Sequence, residues 1–362
     1  MWTHRCGYVH QDDEPKNDYS LGTMLIEFLI PAYNRPSVER AVDSILSQLS
    51  EVPDPSRVGV TVVDDAGEIF SVLELPRVDW EQCENLNVKR NRTNLGMSRN
   101  LLSMVKDSSA DYVFILTDDD YLEKGALNHC LSVLQPDFPH SGYLTPRIGW
   151  DEDGMIRVVD CQISRSSDRV IGDSIVDSIR YANQGHILSG LVLRRSAISV
   201  EHWERFVDNA YFPMAIISDI LKDNTMVYEP KCIVHHTVYN ETFWHRWGSN
   251  EAEIASRLYL DYVGVVSSAA NFQESSRWTR IMMESHLLRT LIRHDLSWII
   301  HYGNSQRPTV TLGATTRSQI YAMARWVLER VWRPLAWIHR RIFKYRSDRR
   351  RVAPDRFFAG GD

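Results

Sequence analysis

Between Met24 and about residue 130 the chain alternates short apolar runs with stretches of helical spacing, and no other feature constrains its fold as strongly. "MLIEFLI" (24–30) is an apolar run closed by Pro31, the pattern of a strand buried on both faces. After Pro36, a residue suited to a helix start, Val38, Ala41, Val42, Ile45, Leu46 and Leu49 recur at helical spacing. "VGVTVV" (58–63) predicts a second strand, "LNVKRN" (86–91) a third and "DYVFILT" (111–117) a fourth, while Ser98 is placed to cap a helix running to about Lys106. Strands separated by helices imply an α/β fold whose mostly parallel sheet is covered on both faces.

In open sheets of this kind, ligands bind beyond the carboxyl ends of the strands, where loops from separate strands converge. The polar clusters fall at those ends: "PAYNR" after the first strand, "DDAG" after the second, "TNLGMSRN" after the third and "TDDD" after the fourth. Three adjacent carboxylates at a strand end repel one another unless something positive offsets them. A hard divalent cation does so and leaves coordination positions for water and phosphate oxygens. The structural alternative is an acidic helix N-terminus, because "YLEKGALNHCLSVL" predicts a helix just downstream; Glu123 alone would serve that purpose.

Composition narrows the class. With a formal net charge of −6 over 362 residues, no global basic field points to nucleic acid, and an anionic ligand needs a local set of donors. The five cysteines are scattered and lack CxxC spacing, which fits a reducing, cytoplasmic location better than a disulfide framework or a zinc site. No apolar run approaches the roughly 20 residues that span a bilayer, and residues 1–23 lack a signal-peptide core, reading instead as a loosely attached tail. Further along, "GYLTPRIGW" and "MIRVVDCQI" predict strands, residues 170–182 a helix, "HILSGLVLRR" a strand kinked at Ser189-Gly190, and "MVYEPKCIVHH" a strand or hairpin. Residues 241–362 read as a helical C-terminal region.

The ordered set "FLIPAYNR", "VTVVDDAG", "NLGMSRN" and "YVFILTDDD" resembles the nucleotide-binding half of glycosyltransferase family 2, inverting enzymes of the GT-A fold. The resemblance is close over about residues 24–130 and looser to about 240. It implies a GT-A domain over 24–240, divided into a nucleotide-binding half (24–130) and an acceptor half (131–240), followed by the helical extension. It implies a nucleoside-diphosphate sugar as donor, a saccharide or lipid-linked glycan as acceptor, and Mg²⁺ or Mn²⁺ as cofactor. By position, Pro31, Ala32, Tyr33 and Arg35 match the loop on the base and ribose, Asp64 the acceptor of a base hydrogen bond, and Asp65 its companion. Asn94, Gly96 and Arg99 match the segment facing the nucleotide or its phosphates. Asp118 would lie near the ribose, with Asp119 or Asp120 on the metal; Thr117 stands where the family commonly has its first Asp. His235 or His236, the latter favoured by spacing, would complete the metal shell. Where the family places an acidic pair bearing the catalytic base, this chain reads "NAYFPMA", so the base falls to Asp208, with Asp219 in reserve.

Two other readings meet the same residues: a nucleotidyltransferase, which lacks its Gly-rich, Lys-bearing loop here, and a non-catalytic nucleotide-sugar-binding scaffold. At the C-terminus, residues 317–351 interleave arginines with Trp326, Trp332, Trp337 and Phe343, a composition suited to an anionic bilayer surface; the alternatives are packing on the domain, a contact between subunits, or single-stranded nucleic acid, which the negative overall charge and the lack of a recognised module disfavour.

Overall fold

The computed structural model describes residues 24–67, 83–135, 137–150, 156–159, 169–171, 188–229, 231, 233–237, 261 and 265. The predicted terminal tail, the helix expected over most of 170–182 and the basic C-terminal stretch lie outside them, apart from Val170 and Ile171, which are extended.

In chain order the described elements are β1 (Ile26–Ala32), α1 (Val38–Leu46), β2 (Val58–Asp64), β3 (Leu86–Arg90), α2 (Met97–Asp107), β4 (Tyr112–Ile115), β5 (Tyr121–Leu122), α3 (Ala126–Val133), β6 (Gly142–Leu144), β7 (Arg147–Trp150), β8 (Ile156–Val159), β9 (Arg169–Ile171), β10 (Leu191–Arg194), α4 (Val200–Glu204), α5 (Phe212–Asp223), β11 (Met226–Tyr228) and β12 (Val234–Thr237). They form an eight-stranded sheet, ordered β3-β2-β1-β4-β10-β6-β11-β9, and a four-stranded sheet, ordered β5-β12-β7-β8. The run β3-β2-β1-β4 is parallel, and β10 enters antiparallel beside β4.

Alternation along the strands assigns the two faces. Phe28 and Ile30 of β1, with Tyr112 and Phe114 of β4, pack against the apolar stripe of α1 (Val38, Ala41, Val42, Ile45) and against α3. Leu29, Val113 and Ile115 face the other way, onto α2, α4 and α5. Burial on both faces explains why β1 reads as unbroken hydrophobicity despite the period-two geometry of a strand.

Several local expectations are corrected. Gly96, not Ser98, is the N-cap of α2; at φ 80° it holds a conformation that suits glycine, and Ser98 sits inside the first turn, where its hydroxyl accepts the indole N–H of Trp203 at 3.1 Å. The segment after "TDDD" begins as strand β5, and the helix starts only at Ala126, so Glu123 is no helix-terminal acid. "GYLTPRIGW" divides at Thr145-Pro146 into β6 and β7, and "MVYEPKCIVHH" into β11 and β12; in each case the halves enter different sheets, so the second is not a hairpin. Gly190, at φ 88°, provides the predicted kink ahead of β10.

Candidate active site at the carboxyl ends of the parallel strands

The strand order reverses around β1, which lies between β2 and β4, and this creates a crevice at their carboxyl ends. Residues from both flanks close on it. The Tyr33 N–H, just past β1, donates to Asp118 Oδ2 at 3.0 Å. Arg35 extends from the same loop, paired through Nη1 with Asp118 Oδ1 at 2.9 Å and also with Asp119 Oδ2. The positive group that the "TDDD" carboxylates call for is therefore supplied in part by the chain itself.

That supply falls short. Burial raises the Asp118 carboxyl to about 7, Arg35 offsetting only part of the effect. Asp119 is likewise raised, first by burial and then by the neighbouring Asp120 charge. Asp120 goes the other way: although burial opposes its ionisation, the bonded His236 more than compensates and holds it below the usual carboxylate range. For His236, burial opposes the charge, but Asp120 wins and raises the imidazole.

His236 comes from β12, in the second sheet, and its Nδ1 lies 3.0 and 3.1 Å from the two Asp120 oxygens. Beside it, the Thr237 N–H donates to Asp120 Oδ1 at 3.0 Å, and the Thr237 hydroxyl donates to the Asp119 carbonyl at 2.6 Å. Arg40, projecting from α1, donates through Nη2 to that same carbonyl and to Thr237 Oγ1, each at 3.0 Å, with its guanidinium 4.4 Å from the Tyr121 ring centroid. His235 points elsewhere. It stacks on Tyr121 at 4.6 Å and pairs with Glu123, away from the carboxylate turn.

At the end of β2, Asp64 is buried, accepts the Gly67 N–H at 2.9 Å and has Arg90 Nε 3.7 Å away. Asp65 has an architectural arrangement: its carboxylate accepts the Leu95 and Gly96 N–H groups at 2.9 and 2.8 Å and the Asn91 amide at 2.8 Å, tying the loop before α2 to β2. Asn94 accepts the Gly96 N–H at 2.9 Å within that loop. Pro31 and Ala32 are the last residues of β1 and are buried in the sheet.

The two candidate bases are set apart. Asp208, in the turn after α4, is exposed, and its oxygens lie 2.8 and 2.9 Å from Arg99 Nη2 at the start of α2. Asp219 lies within α5 and faces His202 of α4 at 3.7 Å.

Sequence reasoning passed over Arg40, Thr117, Ser189 and Thr237 as contributors. Thr117 was visible only as a departure from a motif, and Ser189 only as a small residue at a kink. Their hydroxyls lie 2.9 Å apart, and Ser189 Oγ also accepts the Thr117 N–H at 2.9 Å.

Among the described residues, no three His, Cys, Asp or Glu side chains form a ready cation cage. The donors nevertheless suit a hard cation that takes most of its shell from substrate phosphate and water, which needs only one or two protein groups. Two carboxyls raised by burial and mutual repulsion are the environment such a charge would relieve.

Residues 27–168 match the family model described as glycosyl transferase family 2. Among solved structures, that of S. aureus TarS 1–349 aligns with a TM-score of 0.54 at 15% identity, covering 84% of this chain and 79% of that one. TarS 1–349 in complex with UDP-GlcNAc gives 0.52 at 14% identity, covering 83% and 79%. No curated protein matches the sequence. Identities this low speak to the fold, while the family match speaks to the residues at the strand ends. Residues 27–168 are thus similar to glycosyl transferase family 2 of the glycosyltransferases, and the fold is GT-A.

Proposed function

We propose that the protein is a divalent-cation-dependent, inverting glycosyltransferase that moves a sugar from a nucleoside-diphosphate donor to a saccharide or lipid-linked glycan. The observation that carries this reading is the convergence of Tyr33, Arg35, Asp118 and Asp119, from the two sides of the switch point, on one crevice.

The base and ribose would lie along Tyr33 and Asp64, with Asp118 toward the ribose. Asp119 and His236 would hold Mg²⁺ or Mn²⁺, which when bound supplies positive charge beside the departing diphosphate. Arg35 offsets part of the charge of Asp118 and Asp119, and its guanidinium would also be suited to donor phosphate oxygens. Asp208 is the proposed base. Its contact with Arg99, at the start of α2, supports that choice, whereas Asp219 is engaged between two helices. In the reaction, Asp208 takes the proton of an acceptor hydroxyl, whose oxygen bonds to the anomeric carbon as the bond from that carbon to the diphosphate breaks. Attack opposite the leaving group inverts configuration.

The test is calorimetric binding of UDP and of GDP with and without Mn²⁺, joined to release of nucleoside diphosphate from a panel of sugar nucleotides. Metal-dependent binding, lost in Asp119→Ala, and turnover with one donor are the expected results. Intact protein that binds no nucleotide in the presence of Mn²⁺ would overturn the proposal. Among the described residues no helix is long and apolar enough to cross a membrane. Residues 317–351 are proposed to associate with an anionic cytoplasmic membrane face, and equal flotation on anionic liposomes with and without residues 317–362 would end that idea.

A further inference from the structure

Asp120 is the most deeply buried carboxylate of the turn, with 0% exposure. Its oxygens offer about four lone-pair positions, and three donors of the chain engage both oxygens. The Thr117 hydroxyl donates to Oδ2 at 2.9 Å, the Thr237 N–H to Oδ1 at 3.0 Å, and His236 Nδ1 lies 3.0 and 3.1 Å from the two oxygens. An ionised carboxylate only accepts, so the proton of this contact belongs to His236 Nδ1, and in the neutral ring Nε2 keeps its lone pair.

The support extends further back. The hydroxyl of Thr117 is 2.9 Å from that of Ser189, whose carbonyl accepts from Arg147 Nη1 of β7 at 3.2 Å. Ser189 is 0% and Arg147 4% exposed, so Asp120 ends a buried polar chain anchored on β7, a strand directly paired with the β12 that carries His236. A carboxylate placed on the second nitrogen of a metal-binding imidazole fixes its tautomer and ring orientation and increases its basicity.

We infer that Asp120 is a positioning residue for His236, not a cation ligand, so that adjacent aspartates divide the labour: Asp119 and His236 Nε2 face the cation while Asp120 orients the imidazole from behind. The inference rests on the proposed cation site, but its first test does not require the cation. In ¹⁵N-histidine-labelled wild-type protein without metal, at a pH where the ring is neutral, His236 should show the Nδ1–H tautomer, its signals assigned among the 13 histidines by their absence in His236→Gln. An Nε2–H tautomer overturns the assignment.

The second test is titration of Mn²⁺ with UDP or GDP present. Asp120→Asn retains metal-dependent binding weakened about 10- to 100-fold, the usual effect of a lost outer contact, whereas Asp119→Asn and His236→Ala abolish it. A folded Asp120→Asn protein whose metal binding is lost as completely as that of Asp119→Asn overturns the inference. Should that variant fail to fold, the tautomer decides alone, with Thr117→Val as the milder probe; an unchanged Mn²⁺ affinity in Thr117→Val also counts against the chain. Failure of wild-type protein to bind metal and nucleotide sinks the proposed function instead and leaves the tautomer to report on Asp120 by itself.

Discussion

At the carboxyl end of β4, Asp119 and Asp120 are held from the loop after β1, from α1 and from β12, while Asp208, in the turn after α4, is 80% exposed and pairs with an Arg99 that is itself half exposed. The first arrangement is cross-braced by groups that reach it from separate elements and bury it. The second is a surface ion pair of the kind that contributes little and is readily exchanged. A donor site that binds a small, highly charged diphosphate needs carboxylates fixed before the ligand arrives. As the proposed base, Asp208 would need access to a hydroxyl that arrives with a separate substrate, which a weakly held carboxylate offers. The turn around Asp208 is not loose throughout, since Asp261 accepts the Ala210 N–H at 2.8 Å and its carbonyl the Asn209 amide at 3.0 Å.

The largest effect expected from this contrast is in rate. Asp208→Asn should lower turnover by about 10²- to 10⁴-fold, the range for loss of a general base, with nucleotide affinity unchanged, and stopped assays of nucleoside diphosphate release beside calorimetry would separate the two quantities. If Asp219→Asn produces that loss and Asp208→Asn does not, the base lies on α5 and the comparison between braced and unbraced carboxylates fails.

A smaller effect is expected at the brace. Arg40→Ala removes the guanidinium that joins the Asp119 carbonyl to Thr237, and should weaken Mn²⁺ binding roughly 10-fold or more in the presence of a nucleoside diphosphate, as outer-shell losses do. Arg205→Ala, which deletes another exposed arginine on the surface of a helix, serves as the control and should change nothing. Equal behaviour of the two variants would show that the link from α1 does not hold the turn.

Helices α2 and α4 also meet in the core, and there the sequence misled. Ser98 read as a helix cap because a hydroxyl residue stood near the start of an apolar pattern, yet its partner is Trp203, 105 residues away. Ser98→Ala leaves a fully buried indole N–H without that acceptor and should cost about 1–3 kcal/mol, measured as a shift in the urea midpoint with an unchanged slope.

What was legible is what local pattern encodes. Three of the four parallel strands, β1, β2 and β4, could be read because burial on both faces writes itself as continuous apolar runs, while β3 is a largely exposed edge strand; the polar clusters at their ends followed from chain direction alone. The roles within those clusters were not legible, because they depend on partners far away in sequence. Asp120 differs from Asp119 through His236 and Thr237, more than 110 residues downstream, and the second sheet that carries them is assembled from strands of two to four residues. Short strands leave too little periodicity to register, which is why "GYLTPRIGW" and "MVYEPKCIVHH" each read as one unit and fold as two.

The smallest expected effect lies beside Asp65, where Ala66 adopts φ 55°, a left-handed conformation that costs an ordinary residue roughly 1–2 kcal/mol. Ala66→Gly relieves that strain but adds conformational freedom to the unfolded chain, which offsets about 0.5–1 kcal/mol of the gain. The net expectation is a stabilisation of no more than about 1 kcal/mol, observed as a rise in Tm of a few degrees. The same substitution loosens the backbone between Asp65, which anchors the loop before α2, and Gly67, whose N–H holds Asp64. Nucleotide affinity should therefore fall while stability rises, because strain that persists at a site is maintained by surroundings that fix its geometry. A variant that loses stability, or gains it with affinity intact, would place Ala66 outside the preorganised donor side and narrow the contrast with the acceptor side to the carboxylates of β4.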